Sequence, residues 1–194
     1  MKAALAGWRA APDAPPPGHR PGTIAARVLA DLRAVREADD VDGAARLPNG
    51  VRVSIDERIE RQFLMHTVSV EVRAAASGPA AQGGARVRQT GWLRRTGVDT
   101  APVPGCDPVF LDTLATLLAE PLLADALRPL HLTDCTIEAR DGRWTLAIVP
   151  FGGSEIVNRM PSFRRYVRLI DEQAAALSAA CLAFETALRR ILRG

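Results

Sequence analysis

The stretch TIEARDGRWTLAIV, Thr136 to Val149, constrains this chain more tightly than any other. Asp141-Gly142 tolerates positive φ at both positions, the condition for a two-residue hairpin turn whose twist matches its strands. With those two residues as the loop, Ala139 stands opposite Trp144, Ile137 opposite Leu146 and Cys135 opposite Ile148 on one side. The other side sets Glu138 against Thr145 and Arg140 against Arg143. One face is apolar and one polar, so the hairpin belongs to an antiparallel sheet covered on a single face.

Two further stretches alternate in the same way. After the turn residues Pro48-Asn49-Gly50, VRVSID places Val51, Val53 and Ile55 on one face. Phe63 to Arg73 places Leu64, His66, Val68, Val70 and Val72 on one face and Thr67, Ser69, Glu71 and Arg73 on the other. The intervening DERIER reads as a longer loop or a kinked continuation. Ala74 to Gly84 reads as a mobile loop, and Ala85 to Arg95 as a third strand with a bulge at Gly91.

Helices frame these strands. Thr23 is placed to cap a first helix with Ile24, Val28, Leu32 and Val35 on its apolar stripe. Asp107-Pro108 starts a second through Leu114 and Leu118, and Pro121 re-initiates it as a short piece up to Arg128. From Asp171 to Arg193 a long helix carries the seam Ala174, Leu177, Cys181, Phe184, Leu188 and Ile191, which packs on its own sheet or meets a partner. Residues 1–21 hold a proline-rich stretch and read as a flexible arm, leaving residues 22–194 as one domain. The expected fold is α+β: a two-layer domain with an antiparallel sheet of about five strands, helices on one face, and the order α-βββ-α-ββ-α.

That order resembles the type III secretion chaperone-like fold, across Thr23 to Arg193. The segment FGGSEIVNRMPSFRRYVRL also resembles an uncharacterised proteobacterial family whose function is not known. The first resemblance implies a bound partner protein; neither supplies a site residue.

Among 25 cationic residues Lys2 is the lone lysine, and the net charge is only +3, a pattern of GC-rich bacterial codon usage more than of phosphate recognition. Three scattered cysteines, Cys106, Cys135 and Cys181, do not make a disulfide framework and fit a reducing cytoplasm. No run reaches the roughly 18 apolar residues of a membrane span.

The richest candidate chemistry lies between Gly152 and Arg168. Two glycines there can bring backbone amides to an anion, and Ser154, Arg159, Arg164, Arg165, Tyr166 and Arg168 can add polar or charge-assisted bonds. The plainer reading is a strand exit and a basic surface, with Phe163, Tyr166 and Leu169 anchored inward. Arg86, Arg88, Arg94 and Arg95 beside Trp92 offer a weak nucleic-acid surface, or simply a charged edge. HLTDC splits its ligands between two faces of a strand, His66 sits on an apolar face, and Cys106 precedes a helix start with no base beside it. No catalytic residue, metal or cofactor is assigned.

The expectation is a cytoplasmic, non-enzymatic module that binds a partner protein or small ligand, with a second copy meeting the C-terminal helix as one form of partner. Neither a membrane nor nucleic acid is expected as a partner. The alternatives are an enzyme or binder for an anionic ligand at Gly152–Arg168, and a weak nucleic-acid binder.

Overall fold

The computed structural model describes residues 15–16, 18–37, 44–90 and 97–194. Along the chain these form α1 (Thr23–Asp31), β1 (Val35–Arg36), β2 (Ala44–Arg46), β3 (Arg52–Gln62), β4 (Met65–Ser77), β5 (Gln82–Thr90) and β6 (Gly97–Pro102). They continue as α2 (Pro108–Ala119), α3 (Pro121–Leu127), β7 (Leu132–Arg140), β8 (Arg143–Pro150), β9 (Ser154–Arg159), β10 (Ser162–Val167) and α4 (Asp171–Ile191). The strands make one antiparallel sheet in the order β1-β2-β3-β4-β8-β7-β5-β6, with β9 alongside β4 and β10 alongside β9.

The expected five-stranded sheet in the order α-βββ-α-ββ-α is therefore corrected to ten strands and four helices among the described residues. Strand alternation is visible only where one face is buried, and several strands lack that contrast. Both faces of β10 are largely exposed, β6 buries none of its residues, and β1 and β2 span two and three residues. DERIER continues β3, and the stretch read as a loop from Ala74 to Gly84 lengthens β4 to Ser77 and starts β5 at Gln82. The secretion-chaperone resemblance loses the element order that carried it.

The Asp141-Gly142 turn takes φ of 50° and 82°, and the pairs it dictates are the pairs observed: Ala139 with Trp144, Ile137 with Leu146, Cys135 with Ile148. Trp144 is fully buried, lies 5.1 Å from the Phe110 ring in a stacked arrangement, and donates its indole N–H to the Pro79 carbonyl at 2.9 Å. Asp107 caps α2 by accepting the Phe110 N–H at 2.6 Å, and Pro121 opens α3. The first helix is shorter than its stripe suggests. It ends at Asp31, Arg33 turns the chain at φ 54°, and Val35 lies in β1, 70% exposed.

All four helices cover one face of the sheet: α1 and α4 lie over β4, α2 over β5 and β6, and α3 against α4. Val68, Val70, Val72 and Ala74 of β4 and Leu146 and Ile148 of β8 meet Leu177, Phe184 and Leu188 of α4 in a continuous core. The seam of α4 from Ala174 to Leu188 is buried on its own sheet, while Ile191 is only partly covered. Gly153 marks the kink that separates β8 from β9, so β4 is flanked by β8 over Val72–Ser77 and by β9 over Met65–Val68. Its φ is 85° and a Cβ there would stand 2.7 Å from Val28, so both backbone and helix approach call for glycine.

Candidate functional site

Gly152 to Arg168 forms the β9–β10 hairpin with its lead-in and exit. Alternation divides it. Glu155, Val157, Arg164 and Tyr166 turn towards the helix-covered side, and Ile156, Asn158, Phe163 and Arg165 turn away. The six candidate residues are thus not gathered at one point. Ser154 is buried at the kink, its hydroxyl donating to the Phe151 carbonyl at 2.7 Å. Arg165 is exposed on the face opposite Arg164 and Tyr166, and Phe163 is exposed beside it, not anchored inward. Arg159 ends β9, and its side chain lies outside the described atoms.

What the inward-facing residues meet is acidic. Arg164 lies 3.7 Å from the buried carboxylate of Glu155 and donates to the Gly18 carbonyl at 3.4 Å. On α1, Asp31 Oδ2 accepts the Tyr166 hydroxyl at 2.9 Å and the Leu169 N–H at 3.2 Å, while Oδ1 accepts Arg168 Nε at 3.1 Å. Arg27 lies over the Tyr166 ring, 5.2 Å from its centroid. Burial first, then the hydrogen bond and charge of Asp31, raise the Tyr166 phenol well above its ordinary range, so it stays protonated at neutral pH. Tyr166 thus half-buries its ring against the core and commits its hydroxyl to Asp31, and the segment ties the β9–β10 hairpin to the first helix.

The start of that helix is held from a distance. The cap position is Gly22 and offers no side chain. Instead Glu57 of β3 accepts the N–H groups of Ile24 and Ala25 at 2.8 and 3.0 Å, and its other oxygen lies 3.2 Å from Nε2 of the buried His19 side chain. Asp31, Glu57 and Glu155 were not legible as partners of this segment. The available signal is parity: Glu57 and Glu155 fall on the core face between apolar residues, where a carboxylate needs donors.

The other candidates separate too. In HLTDC, His131 is exposed, Cys135 points into the core and Asp134 faces the open side, 3.1 Å from Arg86 and 3.6 Å from Arg58. Burial, followed by the charge of Asp134, pushes the Cys135 thiol upward, and burial raises Cys181 to about 12, so neither is a thiolate at neutral pH. The Cys106 sulfur lies 3.1 and 3.3 Å from the carbonyl oxygens of Val103 and Gly84, either of which can accept its one proton. His66 is buried on the core face. Of the arginines around Trp92, Arg86 in β5 pairs with Asp134 and Arg88 is exposed, whereas Trp92, Arg94 and Arg95 lie outside the described residues. Among the described residues no three His, Cys, Asp or Glu side chains come together to hold a metal ion, and no helix is long and apolar enough to cross a membrane.

Two surface features remain. On the open face of the sheet the buried carboxylate of Glu71 is clasped by Arg58 and Arg73. Between α3 and α4 runs an apolar cleft of about 380 Å³, lined by Leu122, Ala179, Leu182, Ala183, Thr186 and Ala187. The ion pair of Arg190 and Glu120 stands at its margin.

A family model described as a protein of unknown function, DUF3156, matches residues 28–188. The chain belongs to that family. The match runs from Val28 in α1 to Leu188 in α4, so every described strand of this DUF3156 member lies inside it. Comparison with curated proteins and with solved structures gives no match.

Proposed function

We propose that this protein is a non-enzymatic module that binds a partner protein, holding an amphipathic helix of that partner in the cleft between α3 and α4. The observation that carries the reading is the cleft. Leu122 and Leu182 stand 64% and 41% exposed on neighbouring helices, with small residues between them that let another backbone approach. From Ala179 to Arg190 the cleft follows about three turns of α4, or about 17 Å, the length over which a helix presents anchors at i, i+3 or i+4, and i+7. A polar margin at Glu120 and Arg190 beside an apolar centre is the usual layout of a protein interface.

An anionic ligand at Gly152–Arg168 has less support, because Arg164 already faces Glu155 and Arg168 already faces Asp31. A secretion-chaperone role would be one form of partner binding, but it rested on an element order that the ten-stranded sheet replaces.

The test is capture on immobilised wild-type protein and on Leu182→Arg, followed by titration of synthetic helical peptides from any protein retained only by the wild type. A peptide that binds the wild type and not the variant supports the reading. If nothing retained depends on Leu182, the reading fails. Dimerisation of the purified protein that Leu182→Arg abolishes would instead assign the cleft to a second copy.

A further inference from the structure

The end of the sheet opposite the Asp141-Gly142 turn carries a second exposed apolar group, unconnected with the α3–α4 cleft. Two hairpins finish there side by side. Gln62 pairs with Met65 at the β3–β4 tip, Arg159 pairs with Ser162 at the β9–β10 tip, and Met65, Asn158 and Phe163 form one row across β4, β9 and β10. With strands about 4.8 Å apart, the two tips are neighbours within about 10 Å.

The residues at those tips are large and apolar. Phe63 is 79% and Met160 74% exposed, and Leu64 and Phe163 are exposed as well. Scattered single apolar residues on a surface are ordinary, but four at the ends of two adjoining hairpins are a patch.

The charge around them is one-sided. Glu60 to His66 and Asn158 to Arg165 contain Arg61, Arg159, Arg164 and Arg165 against Glu60, with Glu155 buried beneath as a second offset. Arg61 and Arg165 each stand two residues behind a phenylalanine, so their backbones sit about 7 Å back from it along the strand. Apolar groups foremost and guanidinium groups behind them follow the order of acyl chains and anionic headgroups through a bilayer surface, where interfacial elements enter by about 5 to 10 Å.

We infer that the paired tips of β3–β4 and β9–β10 dock on an anionic lipid bilayer, with Phe63, Leu64, Met160 and Phe163 entering the acyl boundary and Arg61 and Arg165 at headgroup level. The lack of a spanning helix among the described residues does not bear on this, because lying on a membrane and crossing it are different physical demands. The inference does not depend on the partner-binding proposal, since pure lipid vesicles contain no protein partner.

The experiment is co-sedimentation of the full chain with vesicles of phosphatidylcholine alone and of phosphatidylcholine mixed with phosphatidylglycerol. Binding to the mixed vesicles should exceed binding to the neutral ones and fall with added salt. The double variant Phe63→Ser with Met160→Ser should bind at least about tenfold more weakly, and Arg165→Glu about fivefold or more. Phe63→Trp should show a blue-shifted emission with mixed vesicles only. Circular dichroism and a melting curve establish that each variant is folded. Failure to bind, equal binding to both vesicle types, or binding indifferent to the tip variants would overturn the inference. So would self-association without lipid that the tip variants abolish, which would make the tips a contact between copies.

Discussion

Glu57 on β3 caps α1, a helix that begins more than thirty residues before it: its Oε1 accepts the Ile24 N–H at 2.8 Å. Because Gly22 has no side chain to serve the first turn, the helix depends on the sheet for its cap, and sheet and helix are coupled through one carboxylate. Glu57→Ala removes the acceptor, the negative charge at the positive helix end and the partner of His19 together. The expected loss is about 1 to 2 kcal/mol, within the range for N-cap deletions, measured by urea unfolding. A chain starting at Thr23 also lacks His19 and should be less stable than one starting at Pro15. Equal midpoints would mean that the buried His19 side chain adds nothing.

Tyr166 offers a spectroscopic handle, because it is the single tyrosine in the chain. Its folded pKa is raised above the ordinary value of 10.0. The sign follows: the stability held by the neutral phenol is complete below about pH 10 and is lost as pH rises towards the folded value. Tyrosinate absorbance should therefore appear late in an alkaline titration and coincide with unfolding. In Asp31→Asn, which removes the adjacent charge, it should appear at lower pH. A wild-type phenol that titrates like a free one would show that the Asp31 contact is not maintained in solution.

Glu71 is buried on the face that none of the described helices covers, with Arg58 and Arg73 folded over it. Removing both cations leaves a carboxylate without compensation, and Arg58→Met with Arg73→Met should cost about 3 kcal/mol or more. Glu71→Leu in the wild-type background leaves only partly exposed arginines without that partner and should cost less. Denaturant midpoints for the two proteins rank the effects. The opposite order would mean that the arginines, rather than the carboxylate, are the groups that need the pair.

How much of this was legible in the sequence depends on whether local chemistry and tertiary demand agree. At Asp141-Gly142 they do: turn residues and flanking alternation specify one register, and Trp144 takes the core position it implies. In DERIER they conflict, since Glu57 occupies a core-facing position and breaks the apolar alternation from Ile55 to Ile59. Its position makes sense only once α1 lies above it. Strand β10 is harder still, because an edge strand with both faces largely exposed carries no period. Asp31 lies 135 positions from Tyr166, a distance over which no spacing rule operates. The ionisable residues could be recognised as a group, but their pairing could not.

Close packing around Phe110 yields a prediction that separates steric fit from backbone preference. Gly83 lies on the core face of β5, where an added Cβ would stand 2.5 Å from Phe110 Cγ and 3.0 Å from Cys106 Sγ. Its φ is not positive, so the backbone itself would accept alanine. The penalty comes first from the ring, which is held in place by its stacking on Trp144 at 5.1 Å, and second from the Cys106 sulfur. Gly83→Ala should therefore cost about 1 to 3 kcal/mol, the range for overpacking a filled core. Phe110→Leu alone should also destabilise, through lost ring contact with Trp144. The double variant is the decisive measurement, because the smaller side chain vacates the space that the new methyl needs. Its loss should be smaller than the sum of the single losses by about 1 kcal/mol, a coupling expected of residues in contact. Strict additivity would mean that alanine at Gly83 is resisted by the strand pairing with Ala139 and not by the ring.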